Sequence, residues 1–158
     1  MKIAKLEKNN IYDAIKLIEK VFFEFSAPNL SKKGQNEFCT FISYHKIIEK
    51  YEKNEIIFWG CYNDNLLVGV IALRNTNHIS LLFVDKKYHR KGIAKQLFQV
   101  AKDFCEKNIK NNKISVNSSP YAIKFYHHLG FIDISNEKVV NGIRFIPMVY
   151  YLNSKTNL

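Results

Sequence analysis

Cysteine is scarce in this chain: Cys39, Cys61 and Cys105 are the only three among 158 residues. They stand far apart in apolar surroundings and never at C-x-x-C spacing. That pattern argues against a disulfide framework or a metal site and leaves reduced core thiols of a cytosolic protein. Long apolar runs are missing too. No stretch of about 18 uncharged apolar residues is present, so no transmembrane helix is expected. The segment Met1 to Glu7 has no apolar core of signal-peptide length. Internal repeats and low-complexity linkers are absent. Neither G-x-x-x-x-G-K-[ST] nor G-x-G-x-x-G occurs. Acidic residues are few, 14 against 24 Lys and Arg, giving a formal net charge of +10. Such an excess invites nucleic acid. The lysines, however, are spread along the whole chain with no aromatic-interleaved basic stripe, so nucleic acid is not the expected partner.

What is present suits one folded domain. With 47% apolar residues, the chain is long enough to bury a sizeable core. The domain is expected over 1–152, with 153–158 as a frayed tail. Lys2 to Glu7 alternates weakly as a first strand. Ile11, Ala14, Ile15, Ile18, Phe22 and Phe25 mark one face of a helix that Pro28 ends. Ser31 caps a second helix with Phe38, Phe41 and Ile42 inward. The stretch from Tyr44 to Lys53 continues it or follows a bend. Ile56 to Tyr62 and Leu66 to Leu73 are β-rich runs joined by Asn63-Asp64-Asn65, a hairpin signal. His78 to Val84 is the next strand, then a helix from Gly92 and a short strand at Ile114 to Val116. Ser119 is placed as an N-cap with Pro120 at the first helical position, and Gly130 as a left-handed helix end. Phe131 to Ile134 and Phe145 to Tyr151 complete an antiparallel pair. This order predicts an α/β fold: a mixed sheet with helices on both faces.

The organising stretch is Leu81 to Phe98. An apolar strand stops at Asp85, a short basic loop follows, and Gly92 opens a helix with Ile93, Ala94, Leu97, Ala101, Phe104 and Cys105 on one face. The first turn of a helix has unpaired N–H groups and a partial positive charge, which suits an anion. Gly92 allows close backbone approach, and His89, Arg90, Lys91 and Lys95 raise the local potential. A multiply phosphorylated ligand would also account for part of the charge excess.

The hexapeptide His89 to Ala94 (His-Arg-Lys-Gly-Ile-Ala) resembles the [Q/R]-x-x-G-x-[G/A] pyrophosphate loop of the GNAT superfamily of acetyl-CoA-dependent N-acetyltransferases. His89 departs from the usual Gln or Arg. A second block, Val116 to Phe131, resembles the second cofactor motif of that family. There, an Asn precedes a short helix bearing A-x-x-F-Y and closing with L-G-F. The resemblance covers Ile56 to Tyr151 well and is looser before it. It implies a mostly antiparallel sheet of six to seven strands with about four helices, and acetyl-CoA as cofactor. It further implies that Phe83, Val84, His89, Arg90, Lys91, Gly92, Ile93, Ala94, Lys95, Asn117, Ser119, Ala122, Phe125 and Tyr126 hold that cofactor. Main-chain groups of Phe83 and Val84, with Asn117, take the pantetheine arm.

Acetyl transfer to an amine needs a neutral amine and a proton donor for the departing thiolate. A lysine-like amine of pKa ~10.4 must lose a proton at a cost of roughly 4–5 kcal/mol at pH 7. A general base offsets part of this. His78 falls on the strand where histone-type members of the family carry a catalytic Glu, and an imidazole near pKa 6.5 suits the task. Glu24 or a water relay are the alternatives. Tyr126 matches the position that commonly gives a proton to the thiolate. Helical spacing sets Ala122, Phe125 and Leu129 on the buried face and Tyr126 about 100° away from Phe125. Glu24 and Phe25 are candidate acceptor contacts; Tyr44 and Trp59 are candidates for the same pocket, with the buried core as the alternative and favoured place for both. The acceptor is a small-molecule or peptide amine, and a homodimer is left open. No Cys lies in either motif, which argues for direct transfer rather than a thiol intermediate. From other classes, an acyl-CoA-binding sensor or a basic nucleic-acid-associated module on the same fold compete with this reading.

Overall fold

The computed structural model describes residues 1–108 and 112–152; the tail expected at 153–158 lies outside the described residues. The N-terminal half builds one face of a sheet. Strand β1 (Lys2–Lys5) leads into α1 (Ile11–Phe25), whose Ile11, Ala14, Ile15, Ile18 and Phe22 are buried at helical spacing. The Ser31 side chain accepts from the Gly34 amide at 3.1 Å and starts α2 (Lys32–Phe41). A break at Ile42 and Ser43 separates it from α3 (Tyr44–Glu52), so the segment after Tyr44 follows a bend.

Strands β2 (Ile56–Asn63) and β3 (Leu66–Arg74) form the expected hairpin, with Asp64 in the left-handed region at φ 53°. Strand β4 (His78–Val84), helix α4 (Ile93–Asn108), strand β5 (Lys113–Ser118) and helix α5 (Ile123–Leu129) follow. Gly130 ends α5 at φ +106°, a conformation that costs glycine little. The chain closes with β6 (Ile132–Asp133), β7 (Lys138–Val140) and β8 (Ile143–Tyr151).

The eight strands form one sheet in the order β1-β2-β3-β4-β5-β8-β6, with β7 paired to β8. Only β4 and β5 run parallel; the other pairs are antiparallel. Among the described residues there are eight strands and five α-helices, close to the expected six to seven and about four. The extra strand is β7, joined to β8 through Asn141-Gly142, and the extra helix comes from the break at Ile42 and Ser43.

Each face of the sheet carries a core. Ile71, Leu73, Ile79 and Val84 pack on one side beneath Leu97, Ala101 and Cys105 of α4. Val70, Ala72, Leu81 and Phe58 pack on the other beneath α1 and α3. Strand alternation thus sends neighbouring residues to different layers. Helix α2 is fixed over the β7–β8 turn by close backbone approach. A Cβ on Gly34 would collide with the Gly142 carbonyl, and Gly142 itself has φ +80°. No helix among the described residues is long and apolar enough to cross a membrane.

Candidate functional site

The parallel ladder between β4 and β5 lasts for two residue pairs, His78 with Ser115 and Ile79 with Val116. Beyond them β5 continues on β8 alone, so the β4 edge from Ser80 to Val84 opens into a cleft. A bulge sits at the opening. Leu73 pairs with Ile79 and Ala72 with Leu81, leaving Ser80 as the extra residue. The Ser80 hydroxyl is buried with no hydrogen-bond partner. An orphaned polar group at the root of a cleft is what a polar ligand would satisfy. The cleft is the mouth of a cavity of about 970 Å³ reaching from Arg74 and His78 to the N-terminus of α4.

One end of the cavity is shaped by the loop before α4. Asp85, 8% exposed, accepts from the Lys87 amide at 3.0 Å and pairs with Lys20 of α1 at 2.8 Å. The Lys20 ammonium holds the Asp85 carboxyl below its ordinary pKa. These contacts tie the loop to α1. Arg90 and Gly92 both take left-handed backbone angles, φ 61° and 77°. Such a turn directs successive amides into a concave nest, and the unpaired first-turn amides of α4 add to it. A Cβ built on Gly92 meets nothing within 4 Å, so the space before it is open to a ligand. His89, Arg90, Gly92, Ile93, Ala94 and Lys95 line the cavity there. Lys91 does not; its ammonium lies over the Tyr88 ring at 5.2 Å. The His89 imidazole bonds the Val84 carbonyl at 2.7 Å and faces Phe25 at 5.2 Å.

Phe83, Val84, Asn117, Ser119, Ala122, Phe125 and Tyr126 also line the cavity, so the residues expected on the cofactor meet at one place. Their detail differs from the sequence reading at two points. Ser119 makes no capping hydrogen bond, because Pro120 to Ala122 forms a 3-10 turn before α5 begins. Tyr126, not Phe125, is the buried residue of α5, with its ring edge-on to Phe131 and Phe125 at 5.2 Å. Seven residues of helix laid across the cleft give α5 a cavity side as well as a core side, and both rings reach the cavity. Burial raises the Tyr126 pKa, with no neighbouring charge or hydrogen bond contributing, so the phenol stays protonated.

His78 lies at the other end, its Nδ1 2.8 Å from Ser115 Oγ. Desolvation first, then the Arg74 charge, lowers its pKa from 6.5 to about 4. The expected value near 6.5 therefore gives way to an imidazole that is neutral at physiological pH. Of the residues expected around the acceptor, only Phe25 lines the cavity, stacked on Tyr121 at 5.3 Å. Glu24 is exposed, because on α1 it falls between the inward positions Phe22 and Phe25. Trp59 is 7% exposed in the core beneath α4, against Phe104, since strand alternation sends it to that face. Tyr44 opens α3 at 46% exposure and touches Tyr12. None of these three reaches the cavity.

Several cavity residues were not anticipated. Phe22, Phe38, Phe41 and Phe145 wall it on the α1–α2 side, with Arg74 at the end of β3. The phenylalanines were legible only as core, because the cavity exists through the cleft. Asn141-Gly142 was a readable hairpin signal for the strand pair that carries Phe145.

A family model described as an acetyltransferase (GNAT) domain matches residues 26–152. Among curated proteins no sequence match is found. Solved structures with the same fold include a GCN5-related N-acetyltransferase from Rhodopseudomonas palustris. It has TM-score 0.76 and 16% identity, over 96% of this chain and 95% of that one. The PaiA N-acetyltransferase from Thermoplasma acidophilum, solved with coenzyme A, has TM-score 0.75 and 21% identity over 96% and 99%. A GNAT-family acetyltransferase from Staphylococcus aureus has TM-score 0.71 and 21% identity over 96% and 98%. The family match spans most of the chain, including both the open cleft and the loop before α4. The chain belongs to the GNAT family of acetyltransferases.

Proposed function

We propose that this acyltransferase moves the acetyl group of acetyl-CoA directly onto a primary amine. The observation that carries the reading is the β4–β5 ladder, which opens after two pairs in front of the α4 N-terminus. A long, thin thioester with a pyrophosphate at one end fits that shape. Its diphosphate meets the Arg90–Gly92 turn and the amides of Ile93 to Lys95, with Arg90 and Lys95 supplying charge. The pantetheine arm lies along the open β4 edge at Phe83 and Val84 and reaches Asn117. Ser119, Ala122 and Phe125 close the other wall.

In the reaction the amine nitrogen attacks the thioester carbonyl, and the carbon–sulfur bond breaks. The sulfur leaves as thiolate and receives a hydrogen bond, then a proton, from Tyr126, and the phenol takes a proton back from water entering the cavity as the products leave. The raised pKa of Tyr126 keeps the phenol protonated until charge develops on sulfur. The amine proton passes to His78, directly or through water. With a pKa of about 4, His78 is an acceptor at every pH above about 5, though a weak one, and the proton moves on to solvent. Transfer is direct because both reactants fit one cavity. Cys105 is sealed in the core, where burial pushes its thiol up to about 12. A cytosolic setting is part of the proposal, supported by three free cysteines.

The test is release of free coenzyme A from acetyl-CoA across an amine panel, read with a thiol reagent. Acceptor-dependent release is expected. Tight binding of acetyl-CoA with no release for any amine would favour the sensor reading instead.

A further inference from the structure

The acceptor end of the cavity has a chemistry of its own. Phe22, Phe38, Phe41, Phe83 and Phe145 form its walls on the α1–α2 side. Phe22 and Phe38 are stacked at 3.9 Å, and Phe38 meets Phe83 at 6.0 Å, so these three rings form one aromatic surface. Charge is sparse there. Among the described residues, Glu37 is the one carboxylate on the cavity lining, and Asn141 Nδ2 lies 3.5 Å from it. Arg144 is held by both Glu137 oxygens at 3.1 Å. Arg74 makes no ion pair among the described residues, yet its charge is felt by His78, its cross-strand partner. The cavity thus combines an aromatic wall on its α1–α2 side with a guanidinium, unpaired among the described residues, beside the proton acceptor.

We infer that the acceptor is a compact primary amine with an aromatic-sized apolar body and a carboxylate, the body against the phenylalanine wall and the carboxylate on Arg74. This rests on the acetyl-transfer reading and narrows it. A guanidinium takes a carboxylate through two parallel hydrogen bonds, and partial desolvation strengthens them. An amine with several ammonium groups would bury its extra charges against phenyl rings with one carboxylate to serve them all. Weak cation–π attraction to phenyl faces does not offset that.

The test compares four probes in the thiol-release assay at pH 8: L-phenylalanine, phenethylamine, glycine and spermidine. Phenylalanine should exceed glycine in kcat/KM by about 100-fold, from burial of the benzyl group. It should exceed phenethylamine by about 10- to 100-fold, from the carboxylate pairing. Spermidine should be the poorest. Arg74→Gln should erase the advantage over phenethylamine while leaving acetyl-CoA affinity, measured by calorimetry, within about threefold. Spermidine or glycine turned over as well as phenylalanine would overturn the acceptor class, as would an Arg74→Gln enzyme that keeps the parent preference. Failure of the underlying reading looks different: acetyl-CoA would not bind, or would bind with no thiol released for any amine of the wider panel.

Discussion

His78 offers a quantitative test that does not depend on knowing the acceptor. Its pKa falls from 6.5 to about 4 because the ring is largely removed from water and sits near Arg74. The unfolded chain therefore takes up this proton before the folded one does. The contribution of His78 to stability is complete above pH 6.5, declines as pH drops below it, and stops changing below about pH 4. At 1.36 kcal/mol per pKa unit, the loss is about 2 kcal/mol by pH 5 and about 3 kcal/mol at the acid limit. Asn is a suitable replacement, because its side-chain oxygen can still accept from Ser115 and it does not titrate. Urea unfolding should be followed by the fluorescence of Trp59, the single tryptophan, from pH 8 to pH 5. Every other group is common to both proteins, so the difference between the wild type and His78→Asn isolates residue 78. The wild type should lose about 2 kcal/mol more than the variant across that range. Parallel curves would mean that His78 is solvated and keeps an ordinary imidazole pKa, which would refute the desolvation of this end of the cavity. The same shift predicts that His78 imposes no fall in kcat/KM between pH 7 and pH 5.5.

Two further outcomes follow from named contacts. Tyr126→Phe removes the hydroxyl and keeps the ring packing on Phe131, so kcat should fall by roughly 10- to 1000-fold with acetyl-CoA affinity within about threefold; steady-state kinetics and calorimetry separate the two, and an unchanged kcat would assign the proton to water. Gly34→Ala drives a methyl into the Gly142 carbonyl and should destabilise the fold by about 1–3 kcal/mol in urea titrations, shifting the α2 wall of the cavity. A variant as stable as the parent would show that this backbone approach is not tight.

Much of the fold was legible because local signals and tertiary packing agree. The inward face of α1, the Asn63–Asn65 hairpin and the left-handed Gly130 all rest on short-range rules. The left-handed turn before α4 was legible for the same reason: Gly92 and a basic loop stand before an amphipathic helix. What escaped depends on register and on layers meeting. The Ser80 bulge arises from how β3 and β4 pair, which neither strand encodes alone. Trp59 and Glu24 have the composition of binding residues but are turned away from the cavity by strand alternation and helical phase. Tyr126 was placed a residue away from the buried face because α5 packs on two sides. The low pKa of His78 also lay outside sequence reasoning, since desolvation belongs to the assembled site.

The most direct test of the central claim is calorimetric titration of acetyl-CoA into the wild type and Gly92→Glu. Glu is used because the space before Gly92 is open in the protein, so the side chain meets ligand rather than neighbours. It also places a negative charge in the diphosphate nest and forces a side chain onto φ +77°, at a folding cost of about 1–2 kcal/mol. The wild type should bind one acetyl-CoA per chain, and the variant should remain folded by circular dichroism with affinity reduced at least 100-fold. Equal binding by both proteins, or none by the wild type, would contradict the placement of acetyl-CoA in this cleft.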